Sequence, residues 1–191
     1  SQSVAAEALR RGVRPEQVAY EWMLEDEGQG MLYFPLFNYA DGDLELLHAL
    51  HQHTQTRMGL SDGGAHCGAI CDGGMPTFML THWTRDRSRG GRIPLERIVQ
   101  RQTSETARFY GLNDRGVLAA GFKADINVID YAALRLRAPE VLYDLPAGGR
   151  RLVQRPEGYR ATLVSGRPVF LDGKATGSLP GQLIRGSTPS P

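Results

Sequence analysis

The sequence predicts an α/β fold, with part of a parallel sheet carrying its helices outside, followed by a smaller region of antiparallel β structure. Three observations carry this. Strand-like, helix-like and strand-like segments follow one another over Met31–Tyr39, Leu44–His51 and Thr56–Ser61, which is the grammar of parallel strands joined by an outer helix. From Gly116 onward the pattern changes to short β runs punctuated by turn dipeptides. Hydrophobic residues make up 41% and charged residues 23% of the 191 positions, ordinary proportions for a chain that buries a core.

The first helix is read from Val4, Ala5, Ala8 and Leu9 after Ser3, with Gly12 placed to end it. Pro15 at a first-turn position opens a second helix through Val18, Trp22, Met23 and Leu24 as far as Gly28. Met31–Tyr39 is almost unbroken apolar and aromatic, as a strand buried on both faces would be, although Pro35 removes a ladder donor there. Asp41-Gly-Asp43 caps the next helix, on which Leu44, Leu47, His48 and His51 share one side. Thr56–Ser61 reads as a short strand running into the turn Asp62-Gly63-Gly64. Helices follow over Pro76–Asp86 and Pro94–Tyr110, the second interrupted near Thr103-Ser104 and stopped by Gly111. Asp125–Asp130 and Arg160–Lys174 are β runs, with Ser165-Gly166 and Asp172-Gly173 as hairpin turns. Three segments are therefore expected: 1–115, 116–186, and a frayed, disordered tail at 187–191.

The 22 basic and 21 acidic residues leave a net charge of +1, which gives no electrostatic reason to expect nucleic acid or an anionic membrane as partner. No apolar run reaches the ~18 residues that cross a bilayer. Ser1–Arg11 carries Glu7, Arg10 and Arg11 where a secretory signal would be apolar. Two cysteines do not staple a chain of this size, so a reducing, cytoplasmic setting is expected. Two parallel strands do not make a stable sheet alone, and no comparable strand precedes Met31. The chain is accordingly expected to be the C-terminal part of a longer protein, or to need self-association or a partner to cover its exposed sheet edges.

The sharpest candidate for chemistry is Asp62, a carboxylate at a strand end on a glycine turn open to a ligand. It is suited to proton transfer beside a metal-bound water, with Gly63 leaving room for substrate; an Asx turn is the structural alternative. His66, Cys67, Cys71 and Asp72 can in principle collect zinc, although buried free thiols explain the cysteines better. His51-Gln-His53 looks like a metal-binding pair, yet at the end of a helix its side chains diverge. His82 and Arg85 to Arg87 offer donors to an anionic group or, equally, helix-end ion pairs.

The segment Thr106–Asp130, with Gly-Leu, then Arg-Gly, then Gly-Phe-Lys-Ala-Asp, resembles the amidohydrolase superfamily. Gly59-Leu-Ser-Asp62-Gly-Gly resembles that superfamily's strand-eight aspartate. Asp144–Leu152, Gly173–Gly177 and Leu179–Gly181 resemble the closing segments of N-acyl-D-amino-acid deacylases, the D-aminoacylases. The resemblance implies the last strands and helices of a (β/α)8 barrel over 1–115, plus the C-terminal part of a composite β-sandwich over 116–186. It implies metal-dependent hydrolysis of a non-peptide C–N amide bond in a small-molecule N-acyl amino acid. Asp62 would then be the catalytic acid/base and a metal ligand, with Gly63, His66 and Arg85 on the substrate side and zinc as cofactor. The family's other metal ligands, a His-x-His, a bridging cysteine or modified lysine and further histidines, lie outside this chain, which alone is expected to be inactive. At Cys71–Phe78 the chain keeps the Thr-Phe of the D-aminoacylase pattern but lacks its arginine, leaving Arg85 or Arg87 as the candidate for a substrate carboxylate. A non-catalytic remnant serving assembly or binding is the competing reading, and a zinc module around Cys67 and Cys71 a third.

Overall fold

A computed structural model describes residues 3–35, 37–59, 61, 63, 68, 72–189 and 191. They form two compact units, residues 1–46 and residues 47–191.

The first unit is built on a helical hairpin. The helix α1 (Val4–Arg11) starts where the Ser3 hydroxyl accepts the Ala6 N–H at 3.2 Å, and it ends at Gly12, whose φ of +64° suits a residue without Cβ. Pro15 opens α2 (Pro15–Gly28), whose backbone leaves helical geometry at Glu25–Glu27. Ala8 and Val18 are buried, and an Arg11–Glu21 ion pair closes the hairpin at 2.6 Å. The expected strand at Met31–Tyr39 does not form over residues 31–35 and 37–39. A strand is defined by its ladder, and none of the paired strands among the described residues lies beside this segment. Its apolar side chains remain in water: Tyr33 is 90%, Phe34 76% and Phe37 78% exposed.

The helix α3 (Glu45–Gln52), which runs from the end of the first unit into the second, begins where the Asp43 carboxylate accepts the Glu45 N–H at 2.9 Å, as the capping pattern predicts. Residues 56–59 and 61 are not strand either, for the same want of a pairing neighbour. The helix α4 (Met75–Thr81) runs on into a π-helical turn, His82–Asp86, and α5 (Leu95–Gln100) continues through a second π turn, Arg101–Glu105, into α6 (Thr106–Phe109). The interruption expected near Thr103-Ser104 is thus a local widening of the helix. Thr103 donates its hydroxyl to the Val99 carbonyl at 2.7 Å and Thr106 to the Arg101 carbonyl at 2.6 Å, and such bonds compete with the regular ladder.

The β region contains a four-stranded antiparallel sheet in the order β1 (Ile126–Ile129), β6 (Tyr159–Val164), β7 (Arg167–Leu171), β8 (Lys174–Ala175). Both expected hairpin turns are present, with positive φ at Ser165-Gly166 and Asp172-Gly173. Two further pairs join β2 (Arg135–Leu136) to β5 (Pro156–Glu157) and β3 (Glu140–Leu145) to β4 (Gly149–Val153). Within the segment expected to be a tail, Thr188 is tied to the residues that follow α6. Thr188 donates its N–H to the Gly111 carbonyl at 2.8 Å and its hydroxyl to Asp114 at 3.0 Å, while Asn113 donates to the Thr188 carbonyl at 3.0 Å. The core of this unit gathers Met79, Leu80, Trp83, Ile93, Ile98, Ala107 and, from the β region, Leu134.

Gly158, with φ of +93°, lies where a Cβ would come within 2.7 Å of the Leu134 Cα and 2.8 Å of its nitrogen. Both contacts are backbone, so neither can swing away. Gly158→Ala is expected to destabilise the unit by about 2 kcal/mol or more, read as a lower urea midpoint at unchanged slope.

Candidate functional site

The residues that carry the chemical reading fall unevenly on the structure. Asp62, His66, Cys67 and Cys71 lie outside the described residues. Gly63 is described, and the close approach it permits is to the backbone of Gly73, whose Cα would lie 3.1 Å from a Cβ at Gly63. Gly74 is equally confined, since a Cβ there would meet Gln154 at 2.5 Å and Leu136 at 2.9 Å. Gly73 and Gly74 therefore thread the chain between Gly63 and the β region. Beside them opens a cleft of about 780 Å³, with Pro76 and Thr77 on its helical side and Arg137, Tyr159 and Arg160 on its sheet side. Thr77 and Tyr159 share a hydroxyl hydrogen bond of 2.9 Å across it. The arginines of the cleft are already matched by carboxylates, Arg137 by Glu157 at 2.5 Å and Arg160 by Asp130 at 2.9 Å.

Arg85 is committed to the protein. Its Nε and one terminal nitrogen donate to the Asp86 carboxylate at 2.6 and 3.0 Å, that same nitrogen reaches the Leu134 carbonyl at 2.7 Å, and the other donates to the Tyr131 carbonyl. Its guanidinium also lies 5.3 Å from the Tyr131 ring centre. The Arg85 hydrogen bond holds the Asp86 carboxyl below its ordinary range. Four of the five guanidinium N–H groups are thereby used, which leaves one for a substrate carboxylate. The residue clamps the π turn to the β region, aided by the Thr84–Tyr131 hydroxyl pair.

The histidines gather elsewhere. His48, His51 and His82 surround the buried Trp83 ring at centroid distances of 6.0, 4.9 and 5.0 Å, and the Arg87 guanidinium covers that ring at 4.6 Å. Burial above all, then the charge of Arg101 and of His48, lowers the His51 pKa to about 4. Burial, then Arg87, also lowers His82, against the opposing pull of Asp86. His53 does not join His51: its ring accepts the Gln55 N–H at 3.2 Å, as expected for a pair that diverges at a helix end. Among the described residues no three His, Cys, Asp or Glu side chains form a group able to hold a metal ion.

One residue that the motif reading passes over is Arg101, 2% exposed. It donates to the His53 carbonyl at 3.3 Å and the Thr56 carbonyl at 2.9 Å, and sits 3.9 Å from Glu105. It thus fixes the turn that precedes the Gly59–Gly64 motif. A charged residue three positions after the buried Ile98, on the same helical face, is the signal that marks it.

A model of the amidohydrolase family matches residues 35–170, and the chain belongs to that family. A D-aminoacylase from Alcaligenes xylosoxydans xylosoxydans is 33% identical over 106 residues, which are 56% of this chain and 19% of the relative. The chain thus spans about a fifth of the length of the curated relative it matches. Two solved D-aminoacylase structures are each 29% identical over 54% of this chain and 19% of theirs, at a TM-score of 0.39, a superposition too partial to define an architecture. One of them was described as defining a novel subset of amidohydrolases, the other for the role of its binuclear metal centre.

The Arg85 geometry has a measurable consequence. Arg85→Ala is expected to cost about 2 kcal/mol, through two deserted backbone carbonyls and the unpaired Asp86, while Arg85→Lys recovers part of it. Denaturant melts of both variants check this.

Proposed function

We propose that this chain is the C-terminal portion of a metal-dependent amidohydrolase that cleaves a non-peptide C–N amide bond in a small N-acyl amino acid, as a D-aminoacylase does. The family match over residues 35–170, which includes the glycine turn at Asp62, carries the reading. In it, residues 1–115 contribute the closing strands and helices of a (β/α)8 barrel, with Met31–Tyr39 and Thr56–Ser61 as strands that pair once neighbours are supplied. Residues 116–186 contribute part of a β-sandwich. The exposed Tyr33, Phe34 and Phe37 support the need for such neighbours, whether they come from a preceding segment or from self-association. The working compartment in this reading is the cytoplasm.

Asp62 is the proposed acid/base, holding a proton taken from water and delivering it to the leaving nitrogen. Gly63 and His66 stand on the substrate side. Zinc is the proposed ion, with ligands supplied mainly from beyond this chain and Asp62 among them. The 191-residue chain alone is then inactive. A non-catalytic role in assembly or binding is the second reading.

The test is an amide-hydrolysis assay on a polypeptide that joins this chain to an upstream segment bearing the remaining ligands. Asp62→Asn is expected to lower kcat about 100-fold or more, in the range of a lost general acid/base, with circular dichroism unchanged. Undiminished turnover would remove Asp62 from the mechanism, and no turnover in the parent polypeptide would favour the binding role.

A further inference from the structure

The ring cluster around Trp83 does more than fill a core. Trp83 is 1% exposed, and three imidazoles from two separate elements close on it: His48 and His51 from α3, and His82 from the π turn after α4. Phe78 stacks on His82 at 4.6 Å from the far side. One cation is already on the indole, since Arg87 covers its face. A second, Arg101, buried in the neighbouring π turn, acts on His51 electrostatically and also ties down the carbonyls of His53 and Thr56 just beyond α3. The acidic groups nearby are otherwise engaged: Asp86 with Arg85, and Glu105 with Arg97 and Arg101. Beside His48 lies the Gly91 backbone. A proton added to His51 would therefore enter a half-buried pocket beside the Arg101 cation and its neighbour His48.

We propose that this cluster is a pH-sensitive latch, in which protonation of His51 releases α3 and the turn at residues 53–56 from the Trp83 helix while the β region stays folded. The latch needs no assumption about Asp62, although the segment it frees leads in sequence to that residue. The sign follows from the groups present. The docked state favours neutral His51, with a pKa of about 4, and the undocked imidazole takes up a proton near its ordinary value. Docking is thus fully supported above about pH 6.5 and weakens as pH falls toward 4, by at most about tenfold per pH unit for one proton.

The experiment uses the whole chain. Hydrogen exchange, corrected for intrinsic rate, is followed in α3 and in the β6–β7 hairpin from pH 7.5 to 4, alongside emission of Trp83 in a Trp22→Phe background that leaves it the sole tryptophan. The expected result is a loss of α3 protection of tenfold or more and a change in Trp83 emission below about pH 5, with β6–β7 protection retained. His51→Phe, which keeps an edge contact without a proton site, is expected to abolish that step. Loss of protection in both elements together, no loss down to pH 4, or an unchanged step in the phenylalanine variant would each overturn the proposal. Should that variant fail to fold, the His51 ring titration in the parent chain decides: a midpoint near 6.5 in the docked state overturns the latch, and one well below 5.5 upholds it.

Discussion

Burial of the Trp83 indole organises the helical part of the larger unit, because each neighbouring element reaches the core by touching that ring or its backbone. The ring itself receives α3 through His48 and His51, the π turn through His82, and Arg87 on its face. Its carbonyl accepts the Ile93 N–H at 2.8 Å, which brings in the chain leading to α5. A side chain of this size removes a large apolar area from water, and edge contacts with aromatic neighbours add to that gain. The arrangement places its polar groups under strict demands, since imidazoles and guanidinium groups near a buried ring must stay neutral or be paired.

The buried Arg101 shows how those demands are met only in part. It holds the turn after α3 through backbone carbonyls, yet its Nε and one Glu105 oxygen have no hydrogen-bond partner among the described residues. Pairs of this kind contribute little net stability, since desolvation offsets most of the attraction. What Arg101 provides is a fixed position for residues 53–56, and hence for the start of the segment that leads to Gly59.

Local signals in the sequence translate directly into structure. Ser3 and Gly12 bound α1, Asp43 caps α3, and the dipeptides Ser165-Gly166 and Asp172-Gly173 make the turns of the main sheet, because each acts over a few bonds. The apolar runs at Met31–Tyr39 and Thr56–Ser61 specify a wish for burial but not a partner, and pairing is a property of the neighbour as much as of the strand. The β3–β4 reversal takes left-handed geometry at both Ala147, with φ of +59°, and Gly148, with φ of +71°; the glycine is an ordinary turn residue, whereas the alanine does not advertise that geometry. The same divide governs the site. The string Gly59-Leu-Ser-Asp62-Gly-Gly is visible as residues, whereas the fate of Arg85 depends on two backbone carbonyls 46 and 49 residues away, which no side-chain pattern announces.

In the function proposed above, this chain supplies the Asp62 carboxylate and the holders of the ion come from elsewhere. Metal analysis of the purified 191-residue protein after equilibration with zinc and gel filtration tests this most directly. The account predicts well under one equivalent of bound metal per chain. A full equivalent, lost on replacing Cys67 and Cys71, would mean that the chain builds a centre of its own and would contradict it.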